Sequence, residues 1–157
     1  MSVRYARHLA HGLWLSLALV AGLARAQAPT HDQAASANIP GIYAHSDKDW
    51  TLVEIDGKPL PKGARPPTLR IEGEHIAGFG GCNRYMGPIR ETAPGEVTIG
   101  PLAGTMMACP EPEMELEQGF LSILGKVSRY VFVAGRLLLE GMDGDRSRSL
   151  LLAPDPH

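Results

Sequence analysis

The sequence predicts an α+β domain with a largely antiparallel sheet and one packed α-helix. Three observations point there. Several short segments alternate apolar and polar residues with the period of a strand, and one later stretch carries the period of a helix. The order along the chain is strands, one helix, then strands again, which is not the repeating βαβ order of a parallel sheet. A lone amphipathic helix must cover a face of that sheet, because nothing else is available to bury its stripe.

Each element has its own local reason. Trp50 to Ile55 is rich in aromatic and β-branched residues and ends at Asp56-Gly57, a hairpin-type turn. Lys58 to Pro67 holds four prolines and reads as a loop. Thr68 to Glu72 alternates cleanly, so Leu69 and Ile71 should face a core, and His75 to Phe79 resumes the sheet. Glu96 to Ile99 alternates again. The helix follows: Pro112 suits a first helical position, glutamates from Glu111 to Glu117 favour the positive end of its dipole, and Leu116, Phe120, Leu124 and Val127 form one stripe. Arg129 to Val133, Arg136 to Glu140 and Ser149 to Ala153 complete the strands, joined by Ala134-Gly135 and Asp143-Gly144.

Residues 1–26 read as a secretory signal peptide. Arg4, Arg7 and His8 precede the apolar run Leu13 to Leu23, and Ala24-Arg25-Ala26 matches a small-x-small cleavage site. The run is shorter than the roughly 20 residues of a membrane span, so no span is expected. Cleavage before Gln27 would place the product in the periplasm or outside the cell. Residues 27–47 lack a sustained period and read as a flexible tether, with the folded domain over 48–154. The chain of 157 residues has 15 Lys+Arg against 17 Asp+Glu, a formal net charge of −2. Loss of Arg4, Arg7 and Arg25 makes it more acidic still, which argues against nucleic acid and anionic lipid surfaces as partners. A monomer is expected.

Two blocks stand apart from this pattern: Gly80-Gly81-Cys82-Asn83-Arg84-Tyr85-Met86-Gly87, and Thr105-Met106-Met107-Ala108-Cys109 with Glu115 and Phe120-Leu121 beyond. With Trp50-x-Leu52 at the start and Gly135-x-Leu137-x-Leu139 near the end, the sequence resembles the META domain family, also called HslJ-like after a heat-inducible bacterial protein. The resemblance spans about residues 48 to 153. It implies a curved, partly open antiparallel β-barrel-like sheet with one packed helix, in a secreted or envelope-associated protein linked to stress resistance. Some relatives are lipoproteins, whereas no cysteine follows the apolar run here.

Cys82 and Cys109 are the only cysteines, and both sit in these blocks. An even count in an exported protein favours a structural disulfide, worth about 3–4 kcal/mol by loop closure. Two buried free thiols and a redox pair remain as alternatives, although the spacing is not C-x-x-C. Gly80 and Gly81 would let the backbone approach the helix-bearing segment. Asn83 and Arg84 are the candidate binding residues, an amide and a guanidinium suited to a carboxylate. The plainer reading gives Asn83 to the backbone groups of the bend and pairs Arg84 with Glu115 or Glu117. Met106-Met107 either line a groove or fill gaps beneath Cys109.

No catalytic set can be assembled. Past the signal, the histidines are His31, His45, His75 and His157, and His75 alone lies within the folded part at a strand start. That leaves a cysteine or serine nucleophile without both a base and an orienting group. Cys82, Cys109 and His75 are too few for structural zinc, and Asp143-Gly144-Asp145 lacks the later ligands of a calcium loop. No cofactor and no metal are expected. The expectation is a non-enzymatic envelope domain, acting on an envelope protein or supporting envelope integrity under stress. The alternative is a carrier of a small apolar ligand in the mouth of a half-open barrel.

Overall fold

In the computed structural model, which describes residues 41–155, eight strands close into one antiparallel barrel and a single α-helix lies across one end. β1 (Asp49–Ile55) points Trp50 and Leu52 inward and ends at Asp56-Gly57, where φ is 50° and 71°, the paired positive values of a tight hairpin turn. β2 (Lys58–Pro59) folds back on it. The rest of the proline-rich loop leads to β3 (Thr68–Glu72) and β4 (His75–Phe79), with Leu69, Ile71 and Ile76 inside. β5 (Arg84–Ala93) pairs with β4, with β6 (Glu96–Ile99) and with the short β7 (Ala103–Gly104). After the helix α1 (Glu113–Leu124) come β8 (Val127–Val133), β9 (Arg136–Asp143) and β10 (Arg146–Pro154). The ring runs β1-β3-β4-β5-β6-β8-β9-β10 and returns to β1.

The α+β barrel-like sheet with one packed helix is borne out, with one correction: the barrel is closed, not partly open. β10 pairs with β9 on one side, from Arg146↔Asp143 to Leu152↔Leu137, and with β1 on the other, from Trp50↔Pro154 to Ile55↔Leu150, so Leu150 to Leu152 have a neighbouring strand on both sides. Closure satisfies the backbone groups that an open edge would expose. The shortest ladder of the ring is β6–β8, where Glu96 pairs with Arg129 and the Tyr130 N–H donates to Gly95 O at 2.9 Å. An eight-stranded barrel is just wide enough for side chains to fill. Here Trp50, Leu52, Leu69, Ile71, Ile76, Leu137, Leu139, Leu150 and Leu152 fill it at 2% exposure or less. That leaves no support for an apolar ligand held inside.

α1 buries Leu116, Phe120, Ile123 and Leu124 into this same core. Phe120 meets Tyr85 of β5 edge-on at 5.6 Å, while the helix also touches β9 and β10 on the other side of the ring. It therefore spans the barrel end. The opposite end is closed by a 3₁₀ turn, Ile42–His45. Ile42 is 1% exposed, the Tyr43 hydroxyl donates to Ile89 O at 3.3 Å and accepts from Glu91 N at 3.1 Å, and His45 stacks on Phe132 at 4.1 Å. The signal and residues 27–40 of the expected tether lie outside the described residues. Residues 41–47, placed in that tether by their polar neighbours, instead begin the folded domain.

Candidate functional site

The two sequence blocks meet at the α1 end of the barrel. The bend between β4 and β5 closes through Gly80 N donating to Asn83 O at 2.7 Å. Its next neighbour is α1, and the approach is close. A Cβ at Gly80 would stand 2.8 Å from Glu117 Oε2, and Gly81 has φ of +125° with a would-be Cβ 3.3 Å from Glu113 O. Only glycine fits both positions. Cys82 and Cys109 are bonded, with S–S 2.00 Å and Cα atoms 5.9 Å apart, which joins the bend to the segment entering α1.

Asn83 is a buried organiser of this junction. Its Oδ1 accepts from Met107 N at 2.7 Å and from the Thr105 hydroxyl at 2.8 Å, and its Nδ2 donates to Met107 O at 3.2 Å and to Glu117 Oε1 at 2.9 Å. All four positions of the amide are filled. Glu117 reaches from α1 into the bend, where Oε2 accepts from Cys82 N at 3.1 Å and from Asn83 N. The sequence offers Glu117 only as one of the acids at the start of the helix and as a partner for Arg84, yet it is buried against the bend. Its phase was the available signal: it lies beside Leu116 and three residues before Phe120, on the buried face.

Arg84 starts β5 and, by strand alternation, faces out where Tyr85 faces in. It makes no ion pair with Glu115 or Glu117, or with any other acid among the described residues, contrary to the plainer expectation. Glu117 is held inside by the bend, and Arg84 lies on the far face of the strand. The backbone around Arg84 is fixed instead, since its N–H donates to Thr105 Oγ1 at 3.2 Å and its carbonyl accepts from Thr105 N at 3.0 Å.

The guanidinium of Arg84 lines an outer cleft of about 650 Å³. Its floor is the outward side of β1, β3 and β4, and its wall is the proline-rich loop carrying Arg65 and Pro66. Arg65 lies over the Phe79 ring at 5.0 Å, a cation–π contact. Arg70 is bidentate to Asp49, a hydrogen bond that raises the already high pKa of the guanidinium. Arg65 and Arg84 have no carboxylate partner among the described residues. A second, less polar cleft of about 380 Å³ shares Ala77, Gly78 and Arg84 and continues to Met86, Ala103 and Gly104. Met86, 57% exposed, lines it, and Met106 and Met107, which follow the lining residue Thr105 in the chain, are 98% and 58% exposed. Arg65 was missed because a loop arginine between prolines carries no periodic signal.

His75 stands exposed at the opposite end of β4 from the bend, in a separate cleft of about 370 Å³ with Arg90 and Thr98. Asp143 accepts from Lys126 Nζ at 2.6 Å, which holds its carboxyl below the usual range. Among the described residues no three His, Cys, Asp or Glu are grouped to hold a metal, and no helix is long and apolar enough to cross a membrane.

The model of the META domain family matches residues 44–153. An NMR structure of a protein from Burkholderia xenovorans is 27% identical, covers 73% of this chain and 86% of its own, and superposes with a TM-score of 0.59. A second NMR structure, 24% identical with a TM-score of 0.51, covers 67% of this chain and 88% of its own and shares the fold. No curated protein matches.

Proposed function

Because the chain belongs to the META domain family, we propose that it is an exported, non-enzymatic, monomeric binding domain that serves the cell envelope under stress, with the outward face around Arg84 as its binding surface. One observation carries the reading: within the GCNRYMG block, Cys82 and Asn83 are occupied in fastening the fold, while the Arg84 side chain is held outward at the junction of two clefts with no carboxylate partner among the described residues. A bonded cysteine pair suits an oxidising compartment and supports export, as does the N-terminal signal pattern. Two joined sulfurs, with His75 a full strand away, favour a non-enzymatic role.

The test is complementation of a deletion strain under envelope stress. Wild type and His75→Ala should restore growth and Arg84→Glu should not. Rescue by Arg84→Glu overturns the choice of surface, and failure of His75→Ala reopens an enzymatic role. N-terminal sequencing of the exported protein should begin at Gln27; an uncleaved cytoplasmic product overturns export.

A further inference from the structure

We propose that the Arg84 face binds a single-chain amphiphile with an anionic head, a carboxylate or a phosphate monoester, seated between Arg84 and Arg65 with its chain along Ala77, Met86 and Ala103. This deepens the reading of that face as the binding surface and rests on it. Strand register lays out the two halves. On the outward side, Phe79 pairs with Arg84, Ala77 with Met86, and Met86 with Ala103. One end of this row is cationic and aromatic, and the other is small and apolar.

The head-group end follows from charge. Of the three arginines at the larger cleft, Arg70 is neutralised by Asp49, whereas Arg65 and Arg84 are not matched by any carboxylate among the described residues. A guanidinium fork favours a carboxylate or phosphate oxygen pair. The chain end follows from shape. Ala77 and Ala103, which flank Met86 on this outward side, carry only a methyl group each, so the floor is low. The exposed Met86 forms the side, and methionine adapts to a flexible partner. Both clefts have the size usual for small ligands, and they meet at Arg84. A ligand that fills both needs charge at one end and hydrocarbon at the other.

Calorimetric titration of the purified protein with dodecanoate and dodecyl phosphate, below their micelle concentrations, tests this. Both should bind, and Arg84→Gln and Arg65→Gln should each weaken them by about tenfold or more, the loss of a charge-assisted hydrogen-bond pair. Met86→Asp should weaken both as well. All three substitutions are on exposed or half-exposed side chains, and an unchanged unfolding midpoint confirms that the variants fold. Dodecyltrimethylammonium, acetate and inorganic phosphate should bind far more weakly. Equal binding of the cationic chain, unaltered binding by Arg84→Gln, inorganic phosphate as tight as dodecyl phosphate, or tighter binding of an acidic peptide would each overturn the amphiphile. If no amphiphile binds while Arg84→Glu still fails to complement, the ligand class is wrong and the binding surface stands.

Discussion

Glu117 shows how much one side chain can organise. It accepts from two backbone N–H groups and one amide, all from the bend, in a buried site. Glu117→Gln turns one acceptor into a donor that faces a donor, so it should lower stability by about 2–3 kcal/mol, read as a shift in the denaturant midpoint. The sequence reveals Asn83 as a bend residue but not Glu117, since its role depends on which helix face meets the bend. Arg84 was misassigned for the same reason: pairing with a helix acid needs a shared face, and strand alternation puts them on opposite sides. A second effect is pH-dependent. Burial, and then the hydrogen bond to Glu91, push the Tyr130 phenol up to about 12, and burial raises Tyr85 as well. The folded state keeps these protons where an unfolded chain, with a phenol pKa of about 10, has lost them. The associated stability is fully present below about pH 10 and is lost as pH rises through about 12. Thermal unfolding followed from about pH 9 to about pH 12 should show this loss, and Tyr130→Phe should make it smaller.

At the scale of elements, clean alternation was enough. Thr68–Glu72, His75–Phe79 and Glu96–Ile99 fall where their period places them. β5 did not announce itself, because Gly87-Pro88 interrupts the strand pattern and the flanking glycines read as punctuation. The Ile42–His45 turn was hidden more deeply: four residues have no period, and their polar surroundings resemble a tether. Its weight in the fold should be measurable. Ile42→Ala removes a fully buried side chain and should cost about 2–4 kcal/mol by chemical denaturation. The opposite sign is expected in α1. Gly119 lies within the helix, and a Cβ there would meet nothing within 4 Å. Gly119→Ala should therefore stabilise by about 0.5–1 kcal/mol, seen as a raised Tm.

For the whole molecule, the disulfide joins positions 27 residues apart, and they belong to different layers, the sheet and the helix approach. Unfolded without reductant, the protein should show no free thiols, and two after reduction. Reduction should lower stability by about 3–4 kcal/mol in the loop-closure account. The pairing was readable from count and compartment. The closure of the barrel was not, because the residues of β10 that meet β1, Leu150 to Pro154, lie in the same apolar segment that pairs with β9, and alternation does not tell a strand with one neighbour from a strand with two. Seen as a circuit, β10 meeting β1 means that the first and last strands are neighbours, so the order in which the ring is threaded matters less than the ring itself. A gene rearranged to splice the end of β10 to Gly41 and to open the exposed Ala134-Gly135 turn would keep every rung of the barrel, and the place where the chain starts would become a design choice.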